Sequence, residues 1–278
     1  MSSWLASITA DPLADFHSLA GNRVVQQLAN VLGFTKLPEH AHEVLLFTGF
    51  YFVVYFLSSL VSPAVCPQYK KLSPRIQHGF DEHVVSQVNA IVMCALSLPL
   101  FFTPELDSLT SYTPYAGLVA AHAIGYFLWD VWDTLFYFKY NGVSFFAHAA
   151  TALFTFVQTM RPFLLNFAAP FMWFEASTPF VNINWFAGYV PGLVSPGARQ
   201  VNGLVLLIVF FVTRIVFGPI NGYRLFSEAL TSGVPEVPNW AVYSVLFCYL
   251  TLTVLNFVWF SKMLKILKRT IQQRSKSQ

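Results

Sequence analysis

Charge is what this chain has least of. Asp, Glu, Lys and Arg make up 10% of its 278 residues, against roughly 25% in soluble domains, which excludes an ordinary water-facing surface. Cysteine is nearly absent as well: Cys66, Cys94 and Cys248 are an odd, scattered set without CxxC spacing, so neither a disulfide framework nor a thiolate metal site is expected. Residues 1–20 have no basic start leading into an apolar stretch and carry Asp11 and Asp15. A cleaved leader is therefore not expected, and the first span is expected to act as the insertion signal. P-loop, GxSxG and HExxH patterns are missing, which removes the corresponding nucleotide, hydrolase and metalloprotease sites. The net charge is only +3 and the basic residues lack interleaved aromatics, so no nucleic-acid partner is expected.

Apolar residues dominate instead, at 55% hydrophobic and 17% aromatic. Runs long enough to cross roughly 30 Å of hydrocarbon recur at 42–62, 83–103, 115–138, 143–161, 163–185, 200–218 and 240–262. The expected fold is an all-α integral membrane protein with about seven transmembrane helices. Residues 1–41 precede it, and their Leu13, Phe16, Leu19, Ala20, Val24, Leu28 and Val31 follow helical spacing, the pattern of an amphipathic helix at the interface. Residues 42–262 form the transmembrane domain, with 219–239 as an irregular Gly- and Pro-bearing outer loop, and 263–278 form a basic tail. Alternating the spans puts eleven Lys and Arg on the side of Lys70, Lys139 and Lys262, and four on the side of Arg23 and Arg161. The positive-inside rule makes the richer side cytosolic. The C-terminus is then cytosolic and the N-terminus lumenal or extracellular.

Polar side chains inside the spans are the best functional signal, because hydrocarbon penalises them. The densest group is Glu175-Ala-Ser177-Thr178-Pro-Phe-Val-Asn182-Ile-Asn-Trp185. Helical rise places Asn89, Asp130, Asp133, His148, Glu175, Thr178, Asn182 and Asn256 within roughly 5–15 Å of the cytosolic boundary, one layer built by five spans. His122 and Arg214 form a smaller set nearer the outer side. His122 and Asp133 share one face of their helix to within about 20°, and that face is expected to look into the bundle. Two readings fit the layer. In one it walls a pocket opening toward the cytosolic leaflet, where His148 is general base or nucleophile and Asp130 or Asp133 orients its imidazole. In the other these groups are interhelical hydrogen bonds, each worth about 0.6 kcal/mol.

Glu39-His40-Ala-His42-Glu43 could ligate a metal but lacks a further matched ligand and reads as interfacial; no metal is assigned. His78, Asp81, Glu82 and His83 precede the second span, with Asp81 expected to cap a helix. Arg214 is expected to snorkel to the outer interface.

The string from Glu175 to Trp185 resembles the Glu-x-Ser-Thr-Pro-Phe-x-Asn-x-x-Trp signature of TLC-domain proteins, in the branch separate from ceramide synthases. Lys71-Leu-Ser73, Ser86 with Asn89, Tyr126-Phe-Leu-Trp-Asp130, His148-Ala-Ala-Thr151 and Leu255-Asn256-Phe-Val-Trp259-Phe-Ser-Lys262 follow in the family's order, over about residues 40–265. The resemblance implies a six-helix core around a central cavity, with one preceding helix. It also implies a place usually in the endoplasmic reticulum and a role in lipid synthesis, trafficking or sensing. Ceramide synthases use a His-His pair and a later His-Asp-x-x-Asp motif to join an acyl-CoA to a sphingoid amine. This chain has Ala147-His148 and the Glu175 string at those places, so at most one histidine and one or two aspartates of that acyl-transfer machinery carry over.

The leading expectation is a membrane protein that binds a lipid or acyl chain and influences membrane lipid composition. Asn89, His122, Glu175, Ser177, Thr178, Asn182, Arg214 and Asn256 would line its cavity. The alternative is an acyltransferase centred on His148 with Asp130 and Asp133, taking acyl-CoA as co-substrate and no other cofactor. A transporter or receptor ranks third, since Asp-Arg-Tyr after span three and Asn-Pro-x-x-Tyr in span seven are both missing. Membrane lipids or acyl chains are the expected partners.

Overall fold

The computed structural model describes residues 10–231 and 233–277, and every regular element among them is helical. Helix α1, Arg23–Leu32, starts where Asn22 accepts the Val24 and Val25 N–H groups and stops at Gly33, which adopts φ 70°. These are the ordinary side-chain and left-handed caps of a helix. Val24, Leu28 and Val31 are exposed while Ala29 is buried, so the amphipathic helix exists but begins later than its apolar spacing predicts. Before it, the Asp11 side chain accepts the Leu13 N–H at 2.8 Å, a local bond that competes with helix formation.

Helix α2 is Leu37–Val65, and α3 is Pro74–Ser97, prolonged by a 3-10 segment to Phe102. Helix α4 is Pro114–Phe136, α5 the short Phe138–Asn141, and α6 is Val143–Val157 with a 3-10 turn to Met160. The fifth apolar run is broken into α7 (Ala168–Met172), a 3-10 segment (Trp173–Ser177) and α8 (Thr178–Tyr189), as Pro170 and Pro179 require. Helix α9, Pro196–Phe210, passes through a π segment, Phe211–Phe217, into α10, Gly218–Thr231, and α11 runs from Asn239 to Ser277.

Among the described residues, five helical stretches are long and apolar enough to cross a membrane: 37–65, 74–102, 143–160, 196–231 and 239–270. The other two expected spans differ for physical reasons. The fifth run is broken, and α4 is diluted by His122, Asp130 and Asp133. Yet α4 is the centre of the bundle, buried without interruption from Ala116 to Phe127. Its small residues let neighbours approach closely: a Cβ at Gly125 would lie 2.6 Å from Phe47 Cβ and 2.9 Å from the Thr48 nitrogen on α2. The expected 219–239 loop is helical as far as Thr231, and the tail continues α11 as helix.

Candidate functional site: an apolar slot with a polar end

The break in the fifth run exposes backbone where an unbroken helix would hide it. The Phe174 carbonyl accepts from Ser177 Oγ at 3.0 Å and from Arg214 Nε at 3.1 Å. Arg214 stands in the π segment, a helix irregularity that recurs at functional sites. Its Nε also reaches Ser177 Oγ at 3.0 Å, Nη1 reaches Asn256 Oδ1 at 3.2 Å, and Nη2 reaches Thr178 Oγ1 at 3.3 Å and Glu175 Oε1 at 3.5 Å. One guanidinium thereby gathers the polar residues of three chain segments. Phe174 and Phe210 lie against it, with ring centres 5.9 and 5.2 Å from Cζ.

This corrects the expected place of Arg214. The apolar run ends near residue 218, which suggested an outer-end position, but the helical rod extends from Pro196 to Thr231. Arg214 therefore sits midway along it and pairs inward, with only 6% of its surface exposed.

The cluster forms one end of a narrow slot of about 60 Å³. His148, Glu175, Arg214 and Asn256 supply that end, whereas Leu164, Phe167, Leu225 and Val245 line the opposite one. His148 to Thr159 on one wall and Val245 to Asn256 on the other each span eleven residues, about 16 Å of helix. The two walls run in opposite senses, so His148 and Asn256 meet at the same end.

His148 does not meet the predicted orienting carboxylates. Its Nδ1 is buried without a hydrogen-bond partner, and its ring packs 5.5 Å from Trp259 and 6.2 Å from Phe127. Among the described residues, no hydrogen bond or ion pair joins it to Asp130 or Asp133. Asp133 instead accepts from Asn141 Nδ2 at 3.1 Å and lies 3.6 Å from His78 Nε2. Asp130 is half-buried.

The single polar layer resolves into separate clusters. Asn89 and His122, placed at different depths by counting residues, are joined by Tyr51, whose hydroxyl lies 3.0 Å from Asn89 Oδ1 and 2.6 Å from His122 Nε2. Asn182 Nδ2 donates to Gln87 Oε1 at 3.2 Å and to Ser86 Oγ at 3.4 Å, away from Arg214. His122 and Asp133 are both fully buried, in keeping with their shared inward face. Asp81 is inside α3 rather than at its start; it accepts from Ser58 Oγ and Tyr69 Oη, each at 2.6 Å. Burial raises the pKa of the Tyr69 hydroxyl, so it stays a donor. Tyr51 escapes notice in the sequence because tyrosine is common in apolar runs. His78 and Glu82 stand among the weaker candidates before the second span, one turn apart, a spacing that marks a shared face.

Comparisons with known proteins agree with this architecture. The TLC domain profile matches residues 79–265. An uncharacterised TLC domain-containing protein of Schizosaccharomyces pombe is 32% identical, over 93% of this chain and 89% of its own. Topoisomerase I damage affected protein 4 of Saccharomyces cerevisiae is 33% identical over 83% and 85%. TLC domain-containing protein 4 of Homo sapiens is 26% identical over 82% and 89%. No solved structure matches the chain. The chain belongs to the TLC-domain family of membrane proteins, among relatives that are TLC domain-containing proteins rather than ceramide synthases.

Proposed function

We propose that the slot holds a single-chain lipid or acyl group, polar end against Arg214, Glu175, Asn256 and His148, and that the protein thereby influences membrane lipid composition. The concentration of Arg214, Glu175, Asn256 and His148 at one end carries this reading: the Thr155 and Thr159 hydroxyls on the wall are spent on the backbone carbonyls of Thr151 and Phe156, so an amphipathic ligand satisfies both ends, whereas a wholly apolar body satisfies one. At about 60 Å³ the slot has room for roughly four to six waters, so it takes a short stretch of unbranched chain as it stands, and a longer acyl group requires its walls to part. An endoplasmic reticulum membrane with a cytosolic C-terminus belongs to the same proposal, supported by the family resemblance and by the eleven-to-four distribution of Lys and Arg.

Mass spectrometry of lipids co-purifying from native membranes tests it. A defined single-chain species should accompany the wild type and be depleted in Ala152→Phe, which fills the wall opposite α11. Equal lipid profiles for both proteins would refute the reading. Acyl transfer at His148 has that residue's place in the slot in its favour, but among the described residues no carboxylate orients Nδ1. His148→Ala should then leave the cellular lipid profile changed only as far as bound lipid changes; loss of a specific acylated product at unaltered protein abundance would favour catalysis.

A further inference from the structure

His78, Glu82 and Asp133 converge outside the slot. His78 and Glu82 share a face of α3, and Asp133 on α4 reaches the same point. His78 Nε2 lies 3.6 Å from Asp133 Oδ2 and 4.0 Å from Glu82 Oε2, and one ligand atom from each of the three falls within 4.8 Å of the others. Ligand atoms about 2.1 Å from a shared cation stand about 3.0–4.2 Å apart, depending on the angle between them. The cluster fits that window after small side-chain adjustments.

Three observations separate it from an ordinary hydrogen-bonded group. First, His78 Nε2 and Asp133 Oδ1 have no hydrogen-bond partner, although His78 is 7% and Asp133 0% exposed. Buried groups left unpaired in this way are costly; a cation held between Nε2 and the facing Asp133 Oδ2 gives Nε2 its missing partner. Second, each is steered from behind. His78 Nδ1 is 2.9 Å from Tyr55 Oη, Tyr137 stacks on the ring at 3.7 Å, and Asn141 Nδ2 donates to Asp133 Oδ2. With Nδ1–H donating to Tyr55, the Nε2 lone pair faces the carboxylates. Such outer hydrogen bonds orient the histidines and carboxylates of metal sites. Third, among the described residues no Lys or Arg forms an ion pair with Glu82 or Asp133, whose recorded ionic neighbour is His78. Asp130, one turn before Asp133, is a further carboxyl group on the same helix.

We propose that His78 Nε2, Glu82 and Asp133 bind a divalent first-row transition cation. An imidazole with two carboxylates selects zinc, manganese or iron over magnesium and calcium, because imidazole prefers transition ions. The second carboxylate and histidine cluster, Asp11, His40 and Glu43, lacks this capacity. His40 Nδ1 and Nε2 are each engaged at 2.7 Å, by Glu43 and Tyr112, so no lone pair remains for a cation.

The test uses full-length protein purified in detergent with a tag free of histidine. It is incubated with zinc chloride or manganese chloride, desalted and measured by elemental mass spectrometry. The wild type should retain about one cation per chain, and Asp133→Asn and Glu82→Gln should each lower affinity about tenfold or more. Asp11→Asn should bind as the wild type does. If Asp133→Asn fails to fold, Glu82→Gln decides the matter, because Glu82 is 20% exposed and its replacement keeps the shape. Wild-type protein holding less than about 0.1 cation per chain with either metal, or variants holding the wild-type amount, would overturn the proposal. Bound lipid is measured separately, so failure here leaves the slot reading standing.

Discussion

Replacing Arg214 with Met should be far more damaging than neutralising its partner by Glu175→Gln. Arg214 satisfies Phe174 O, Ser177 Oγ, Thr178 Oγ1 and Asn256 Oδ1 besides Glu175. Its removal strips hydrogen bonds from three chain segments and leaves the Glu175 carboxylate buried at 8% exposure with no counter-ion. Breaking a buried pair this way costs about 3–5 kcal/mol. The Glu175 contact itself is long, at 3.5 Å, beyond the 2.7–3.2 Å range of strong N–H···O bonds. Glu175→Gln also leaves a buried charge, the Arg214 cation, without a counter-ion, but the guanidinium keeps four neutral acceptors and an amide oxygen of the same shape in place of the carboxylate, so its cost should be about 1 kcal/mol.

Scaled at about 2–4 °C per kcal/mol, Arg214→Met should lower the melting temperature of the detergent-solubilised protein by roughly 10 °C and Glu175→Gln by about 2–4 °C. Combining Arg214→Met with Glu175→Met should recover part of the loss, because the stranded carboxylate disappears. Recovery should stay incomplete, since Ser177, Thr178 and Asn256 remain without their donor. Equal losses in the two single variants, or strict additivity in the double variant, would refute an arginine-centred cluster.

The polar cluster was legible in the sequence as residue types but not as an arrangement. Glu175, Ser177, Thr178 and Asn256 stand out because hydrocarbon tolerates few such groups. Their common partner was misplaced because apolar content ends before the helix does: α10 continues with Asn221, Arg224 and Glu228 on a helix that hydropathy alone would stop near Gly218. Depth counting from such an end misassigns every residue on that rod. It also assumes straight helices of uniform pitch, which the π segment and the broken fifth run violate. Asn89 and His122 fall to different levels by the same fault of apolar bounds, because α3 begins at Pro74 rather than at 83, although one tyrosine hydroxyl spans them. Pairings across helices depend on tilt and rotation set by packing, which no periodicity in one run encodes. The central role of α4 was likewise hidden, because the residues that let it be buried are small and weakly hydrophobic.

Two further outcomes follow from the packing. Tyr51→Phe deletes the hydroxyl joining Asn89 and His122 while keeping the ring, and should cost about 1–3 kcal/mol through the buried groups left unpaired; a melting temperature equal to wild type would show the bridge is dispensable. Gly125→Val addresses the seam between α2 and α4. Gly125 has helical backbone, so the substitution adds no dihedral strain, and the loss must come from contact alone. The new Cβ would lie 2.6 Å from Phe47 Cβ and 2.9 Å from the Thr48 backbone nitrogen, and backbone cannot rotate away as a side-chain tip can. The helices must separate, which typically costs about 1–3 kcal/mol in overpacked cores, and α4 carries Tyr126, Trp129 and Asp133 with it. Gly49→Val on α2, where nothing lies within 4 Å of an added Cβ, should leave stability near wild type. Comparable losses at Gly49 and Gly125 would mean that helix propensity, rather than close approach, sets the requirement for glycine at the seam.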